Sequence, residues 1–150
     1  MAQSLSRVLL HVAFSTKGRE RLIAESVRKE LHAYLAGVCR GQGADAFRVG
    51  GTADHVHIAC TLPRTVSVST LVQQVKQASS AWMKARGPVG RGFQWQAGYG
   101  AFSVGQSQLP ALLRYIERQE DHHAKATFQD EFLALLRKYG VKYDERFLWE

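Results

Sequence analysis

Apolar and polar positions alternate near the start of the chain. Val8, Leu10, Val12 and Phe14 interleave with Leu9, His11, Ala13 and Ser15, which predicts a first strand running into the basic turn "TKGRER". The period then changes: Val27, Leu31, Tyr34, Leu35 and Val38 recur at helical spacing between Ala24 and Arg40, and "GQG" from Gly41 stops that helix. "AFRVGG" reads as a second strand, and "ADHVHIACTL" as its antiparallel return through a hairpin. Beyond Pro63, the stripe Leu71, Val72, Val75, Ala78 and Trp82 predicts a second helix, with Ser67 or Ser69 as N-cap and "GPVG" as terminator. "YGAFSV" predicts a fourth strand, residues 109 to 123 a third helix, and residues 128 to 139 a fourth helix that stops at Gly140. The aromatic tail "VKYDERFLWE" is expected to dock on the body.

Strand, helix, strand, strand, helix, strand, followed by two more helices, predicts an α+β chain. The first six elements match the ferredoxin-like split βαβ (βαββαβ) antiparallel sheet with two helices on one face. The opposite face is expected to stay open. With no repeat, low-complexity segment or linker, residues 1–150 are expected to form a single domain with one core.

Composition narrows the partners. The chain is 45% hydrophobic and 22% charged, and no stretch approaches the apolar length that crosses a bilayer, so no membrane partner is expected. "RVLLHVAF" is short, contains His11 and leads into "STKGRER" rather than a small-residue cleavage site, so a cytoplasmic location is expected. Cys39 and Cys60 form no CxxC pair and read as buried thiols. The net charge of +7 favours a polyanion such as nucleic acid.

The third strand carries the first chemistry. Val56, Ile58, Cys60 and Leu62 share one face, and His55, His57, Ala59 and Thr61 the other, because successive side chains alternate. If the apolar set faces the helices, both imidazoles project in parallel from the open face, with Cα atoms roughly 6–7 Å apart. Two imidazoles on a stiff strand can share one divalent ion. A zinc site, a catalytic metal site and a pair without a ligand are all compatible with this triplet.

The third helix adds a polar row. Leu109, Leu112, Leu113 and Ile116 make its core stripe, while Tyr115, Gln119 and His122 line up at i, i+4 and i+7, to one side. A tyrosine beside an apolar stripe is commonly a packed ring with its hydroxyl in water. Here it stands one turn from a glutamine that can offer an amide oxygen to a metal, with His122 and His123 beyond.

These segments together resemble the single-tyrosine HUH transposases of compact bacterial insertion sequences, the IS200-like family that includes the transposases associated with repetitive extragenic palindromes (REP). The resemblance extends over nearly the whole chain, through "LLHVAFSTKGR", "DHVHIA", "FQWQAGYGAFSVG", "YIERQEDHH" and "TFQDEFLALLRKYGVKYDERFLWE". It implies His55, His57 and Gln119 as metal ligands and Tyr115 as the nucleophile, with His122 and His123 as accessory candidates. It implies cleavage and rejoining of single-stranded DNA, with hairpin ends, through a 5′-phosphotyrosine intermediate. The implied metal is Mg2+ or Mn2+; ligand type alone favours zinc or manganese. A homodimer is expected, with the tyrosine helix as a candidate for crossing to the partner through "VGQSQLP".

Lys17, Arg19, Arg21, Arg48, Lys76, Lys84, Arg86 and Arg91 are candidate phosphate contacts. Trp95, Tyr99 and Phe102 are candidate stacking platforms, and Trp95 and Phe102 equally candidate core residues. Two rivals stand. A non-catalytic RNA- or DNA-binding module shares the fold, but "AGYGAFSV" lacks the basic residue and final aromatic of the RNA recognition signature and falls on the wrong strand. Another HUH nuclease, a replication initiator or relaxase, would share the chemistry.

Overall fold

In a computed structural model that describes residues 2–150, the sheet is built from β1 (Leu9–Ser15), β2 (Ala46–Gly51), β3 (His55–Thr61) and β4 (Gly100–Val104). Their spatial order is β2-β3-β1-β4 and every neighbouring pair is antiparallel. Helices α1 (Glu25–Gly41) and α2 (Val68–Lys84) cover one face. Leu10, Val12, Phe14, Val56, Ile58 and Cys60 meet Val27, Leu31, Leu35, Leu71, Val72 and Val75 there, the two stripes that alternation and helical spacing predict. The N-cap of α2 is Ser67, which accepts a hydrogen bond from the Thr70 amide. Among the described residues no helix is long and apolar enough to cross a membrane.

The second face is not open. It is covered by α3 (Leu109–Glu117), α4 (Gln119–His123) and α5 (Phe128–Lys138), and His55 and His57 have no exposed surface. A second core of Ala13, Phe102, Phe128, Phe132 and Leu136 forms beneath α5, joined by Leu148 and Trp149 of the tail, which docks as expected. The sheet makes room for these helices. Register places Gly50, His57, Ala13 and Gly100 in one row across all four strands, so the residues paired directly with His57 are small. A Cβ on Gly50 would stand 2.6 Å from the Ile116 carbonyl oxygen of α3, and one on Gly100 would stand 2.6 Å from the Phe132 ring of α5. Both strands need glycine there for the helices to approach.

The helix predicted over 109–123 is two helices. Arg118, at φ −97 and ψ 19, breaks it between α3 and α4. The bend turns Gln119 inward, where it is 1% exposed.

Candidate metal and tyrosine site

Strand β3 carries His55 and His57 side by side, and each imidazole is oriented through its Nδ1. His55 Nδ1 donates to Asp54 Oδ1 at 2.7 Å, and His57 Nδ1 shares a 2.7 Å hydrogen bond with His11 Nε2. His11 comes from the adjacent strand β1, two residues before Ala13, the register partner of His57, and so on the same face. Pairing at Nδ1 turns both Nε2 atoms toward the covering helices, the arrangement in which outer hydrogen bonds orient metal-ligating histidines.

From those helices come Gln119, His123 and Glu131. Gln119 Oε1 lies 2.8 Å from His55 Nε2. Glu131 Oε1 accepts from His57 Nε2 at 2.7 Å and from His123 Nε2 at 3.1 Å. Glu131 Oε2 accepts from Gln119 Nε2 at 3.0 Å and from the Tyr115 hydroxyl. One carboxylate, 2% exposed, thus joins both histidines' surroundings to the tyrosine. Burial pushes the Glu131 carboxyl up, but the hydrogen bonds from His123, His57 and Tyr115 outweigh it and hold the carboxyl well below the usual range. Tyr115 is pushed up, by burial first and then by the Glu131 charge beside it, so its phenol holds its proton at neutral pH. Burial and then His57 lower His11 to about 3, and burial also lowers His57. His11 and His57 are therefore neutral, the form in which imidazole binds metal.

The donor set fits a divalent ion. His55, His57, His123 and Glu131 each offer one ligand atom, and these atoms all lie within 4.8 Å of one another. The His55–Gln119 pair points the same way. Asp54 accepts the hydrogen bond from Nδ1, and the other ring nitrogen, Nε2, faces the Gln119 amide oxygen at 2.8 Å, an atom that can also ligate a metal. A cation between the two satisfies both. Nitrogen, carboxylate and amide ligands together suit zinc or manganese, and magnesium where water completes the shell.

Of the predicted site residues, the fold brings together His55, His57, Tyr115, Gln119 and His123. His122 lies at the edge, its Nε2 3.5 Å from Glu131 Oε2 and without a hydrogen bond. Tyr115 sits over the histidines of its own chain, its ring centroid 5.6 Å from that of His57. Sequence reasoning missed Glu131 and the role of His11. The signal for Glu131 was present: it is a carboxylate inside the apolar stripe Phe128, Phe132, Leu135 of α5.

The candidate phosphate contacts scatter. Arg48 anchors α3, donating to the Leu113 carbonyl at 3.0 Å and pairing with Glu117 at 3.3 Å. Lys76 donates to the carbonyls of Gln96, Ala97 and Gly98 and is lowered by burial to about 8. Arg19 lies over the Trp149 ring and Arg86 over Trp82. Lys17, Arg21, Lys84 and Arg91 are exposed. Trp95 and Phe102 are core residues, the Trp95 indole donating to Ser79 Oγ at 2.9 Å, whereas Tyr99 is 37% exposed.

A family model described as "Transposase IS200 like" matches residues 4–119. The chain belongs to the IS200-like transposase family. It is accordingly an enzyme of the transposase class, and its fold has solved counterparts. A candidate transposase from Deinococcus radiodurans is similar, with a TM-score of 0.61 at 20% identity over 79% of this chain and 98% of that one. A REP-associated tyrosine transposase, solved bound to a REP hairpin, is similar with a TM-score of 0.60 at 14% identity over 84% of this chain and 76% of that one. No curated protein matches. The family match ends at Gln119, so His123 and Glu131 come from the segment beyond it.

Proposed function

We propose that this transposase cleaves and rejoins single-stranded DNA through Tyr115, with a divalent metal held by His55 and His57 together with Gln119, and with Glu131 and His123 as further ligands drawn from this chain. The observation that carries the reading is the meeting of the tyrosine hydroxyl, two Nδ1-oriented histidines, an amide oxygen and a carboxylate at one buried point. When bound, the metal would supply Lewis-acid stabilisation for the charge that gathers on the phosphate oxygens.

The chain's own groups account for the rest. The Tyr115 oxygen forms a bond to phosphorus as the bond from phosphorus to the 3′ oxygen breaks. The product is a 5′-phosphotyrosine and a 3′-hydroxyl, with the phosphodiester energy retained for rejoining. The phenol proton has Glu131 Oε2 as its nearest acceptor, and the departing 3′ oxygen takes a proton in turn. Rejoining reverses each step and needs neither ATP nor water.

Two ends must be handled to move an element, and one tyrosine per chain then calls for a homodimer. Each tyrosine serves its own chain's histidines, a reading supported by the close packing of Ile116 on Gly50 and by Arg48 on the Leu113 carbonyl. DNA with a hairpin end is the expected substrate, in keeping with the REP hairpin held by the similar transposase.

The test is direct. Labelled single-stranded DNA carrying a hairpin is incubated with protein and Mn2+, then denatured. A covalent protein–DNA band is expected, and it should disappear with EDTA. Binding without any covalent band would favour the nucleic-acid-binding module.

A further inference from the structure

A cavity of about 550 Å³ lies between α3 and α5 and ends on Tyr115, His11 and Glu131. Its volume far exceeds what an ion and its waters occupy, at about 30 Å³ per water, and falls in the range of pockets that bury small organic groups. Its walls are apolar: Leu112 on α3 and Leu135 on α5, with Ala111 and Ala134 where longer side chains would close the gap. Polar groups are confined to particular points. Gln108 offers an amide, Lys138 an ammonium, and at the inner end stands the Tyr115 phenol. The outer wall is held by Tyr139, whose ring stacks on Phe102 with centroids 4.9 Å apart.

Of the candidate ligands only Glu131 borders this space, and the transfer reaction leaves the rest of it unexplained. Whatever enters must lie beside the atom that attacks phosphorus. We propose that the cavity is a nucleobase slot, which receives the base of a nucleotide immediately flanking the scissile phosphate. Apolar walls suit a base's faces, Gln108 can donate to and accept from its edge, and Lys138 suits the adjoining backbone phosphate. Occupying the slot would draw the phosphate to Tyr115 and would make cleavage depend on which base stands there. The inference rests on the single-strand cleavage proposed above.

A hairpin oligonucleotide followed by a randomised single-stranded stretch is captured covalently by the protein, and the cut position is read by sequencing. The selected DNA is then remade with an abasic site on the 5′ or the 3′ side of the cut. In the wild-type protein, one of the two abasic substrates should form adduct about tenfold more slowly than intact DNA, the scale of a lost base-stacking contact. Ala134→Phe, an exposed helix position, should fill the slot. It should show a similar loss on intact DNA and no further loss on that abasic substrate, with Mn2+ binding unchanged; Ala111→Leu should behave alike. If neither abasic site slows the wild type, or if Ala134→Phe cleaves intact DNA at the wild-type rate, the slot is overturned. It is also overturned if Ala134→Phe alters the oligomeric state but leaves base dependence intact, since the cavity would then be a contact between copies. Absence of any adduct with intact DNA would instead defeat the cleavage reading itself.

Discussion

Gly50 and Ile116 touch so closely that a single methyl group on Gly50 would meet the Ile116 carbonyl oxygen at 2.6 Å. Ile116 follows the tyrosine, so this contact sets how far Tyr115 stands above the sheet. Gly50→Ala should lift α3, destabilising the fold by about 1–3 kcal/mol, and should slow adduct formation by more than about tenfold, because small misplacements of a reacting group are costly. Urea melts and adduct kinetics measure both. A variant with wild-type adduct kinetics would show that the contact does not position the tyrosine.

Glu131 is the hub of the site, and its removal should be felt in two ways. Glu131→Gln should weaken Mn2+ affinity by at least about tenfold, read by electron paramagnetic resonance titration. Glu131→Ala should destabilise the metal-free protein by roughly 3 kcal/mol, because His57, His123 and Tyr115 lose their shared acceptor in a buried setting. Unchanged Mn2+ affinity would remove Glu131 from the ligand set and leave His55, His57, Gln119 and His123.

Much of this was legible in the chain. Strict alternation put His55 and His57 on one face opposite Val56 and Ile58, and helical spacing found the stripes of α1, α2 and α5. The covering of the histidine face was not read, because an amphipathic helix does not say which sheet face it will meet. The clue lay in the strands: Gly50 and Gly100 are poor strand formers placed where a helix must approach. The break at Arg118 has no local cause, being marked by neither proline nor glycine. It follows from tertiary demand, since Gln119 must turn toward His55 and Glu131. His11 sits in an alternating strand like any half-buried residue, and its partner His57 is 46 residues away.

Acid should destabilise the protein. Burial first, with His57 second for His11 and the Arg28 guanidinium second for His32, holds His11 at about 3 and His32 at about 4. The unfolded chain takes up these protons below about pH 6.5, while the folded chain does not. The contribution of both groups is therefore complete above that pH and is lost as pH falls toward 4 and then 3. His123, pulled down by burial but raised on balance by its bond to Glu131, offsets part of this. Urea stability should fall between pH 7 and pH 5, with a limiting slope of about 1.4 kcal/mol per pH unit for each group. His32→Gln, which removes none of the candidate metal ligands, should make the fall shallower. A profile that rises on acidification would contradict these assignments.

Mixing distinguishes action within a chain from action across a dimer. His57→Ala and Tyr115→Phe proteins should each be inactive and should stay inactive after subunit exchange, because Tyr115 is tied to Glu131 of its own chain. Recovered cleavage in demonstrated heterodimers would mean that the tyrosine helix crosses to its partner during the reaction.

In the proposed reaction Tyr115 becomes covalently joined to DNA. Trypsin cuts after Arg114 and Arg118, so the tyrosine falls in the four-residue peptide Tyr-Ile-Glu-Arg, while Tyr99 falls in the separate peptide 92–114. The denatured adduct, treated with nuclease and trypsin, is analysed by mass spectrometry. The nucleotide mass should be carried by the peptide containing Tyr115, and Tyr115→Phe should yield no adduct while retaining single-strand binding within a few-fold. A nucleotide mass on the Tyr99 peptide, or an adduct that persists in Tyr115→Phe, would contradict this role of Tyr115.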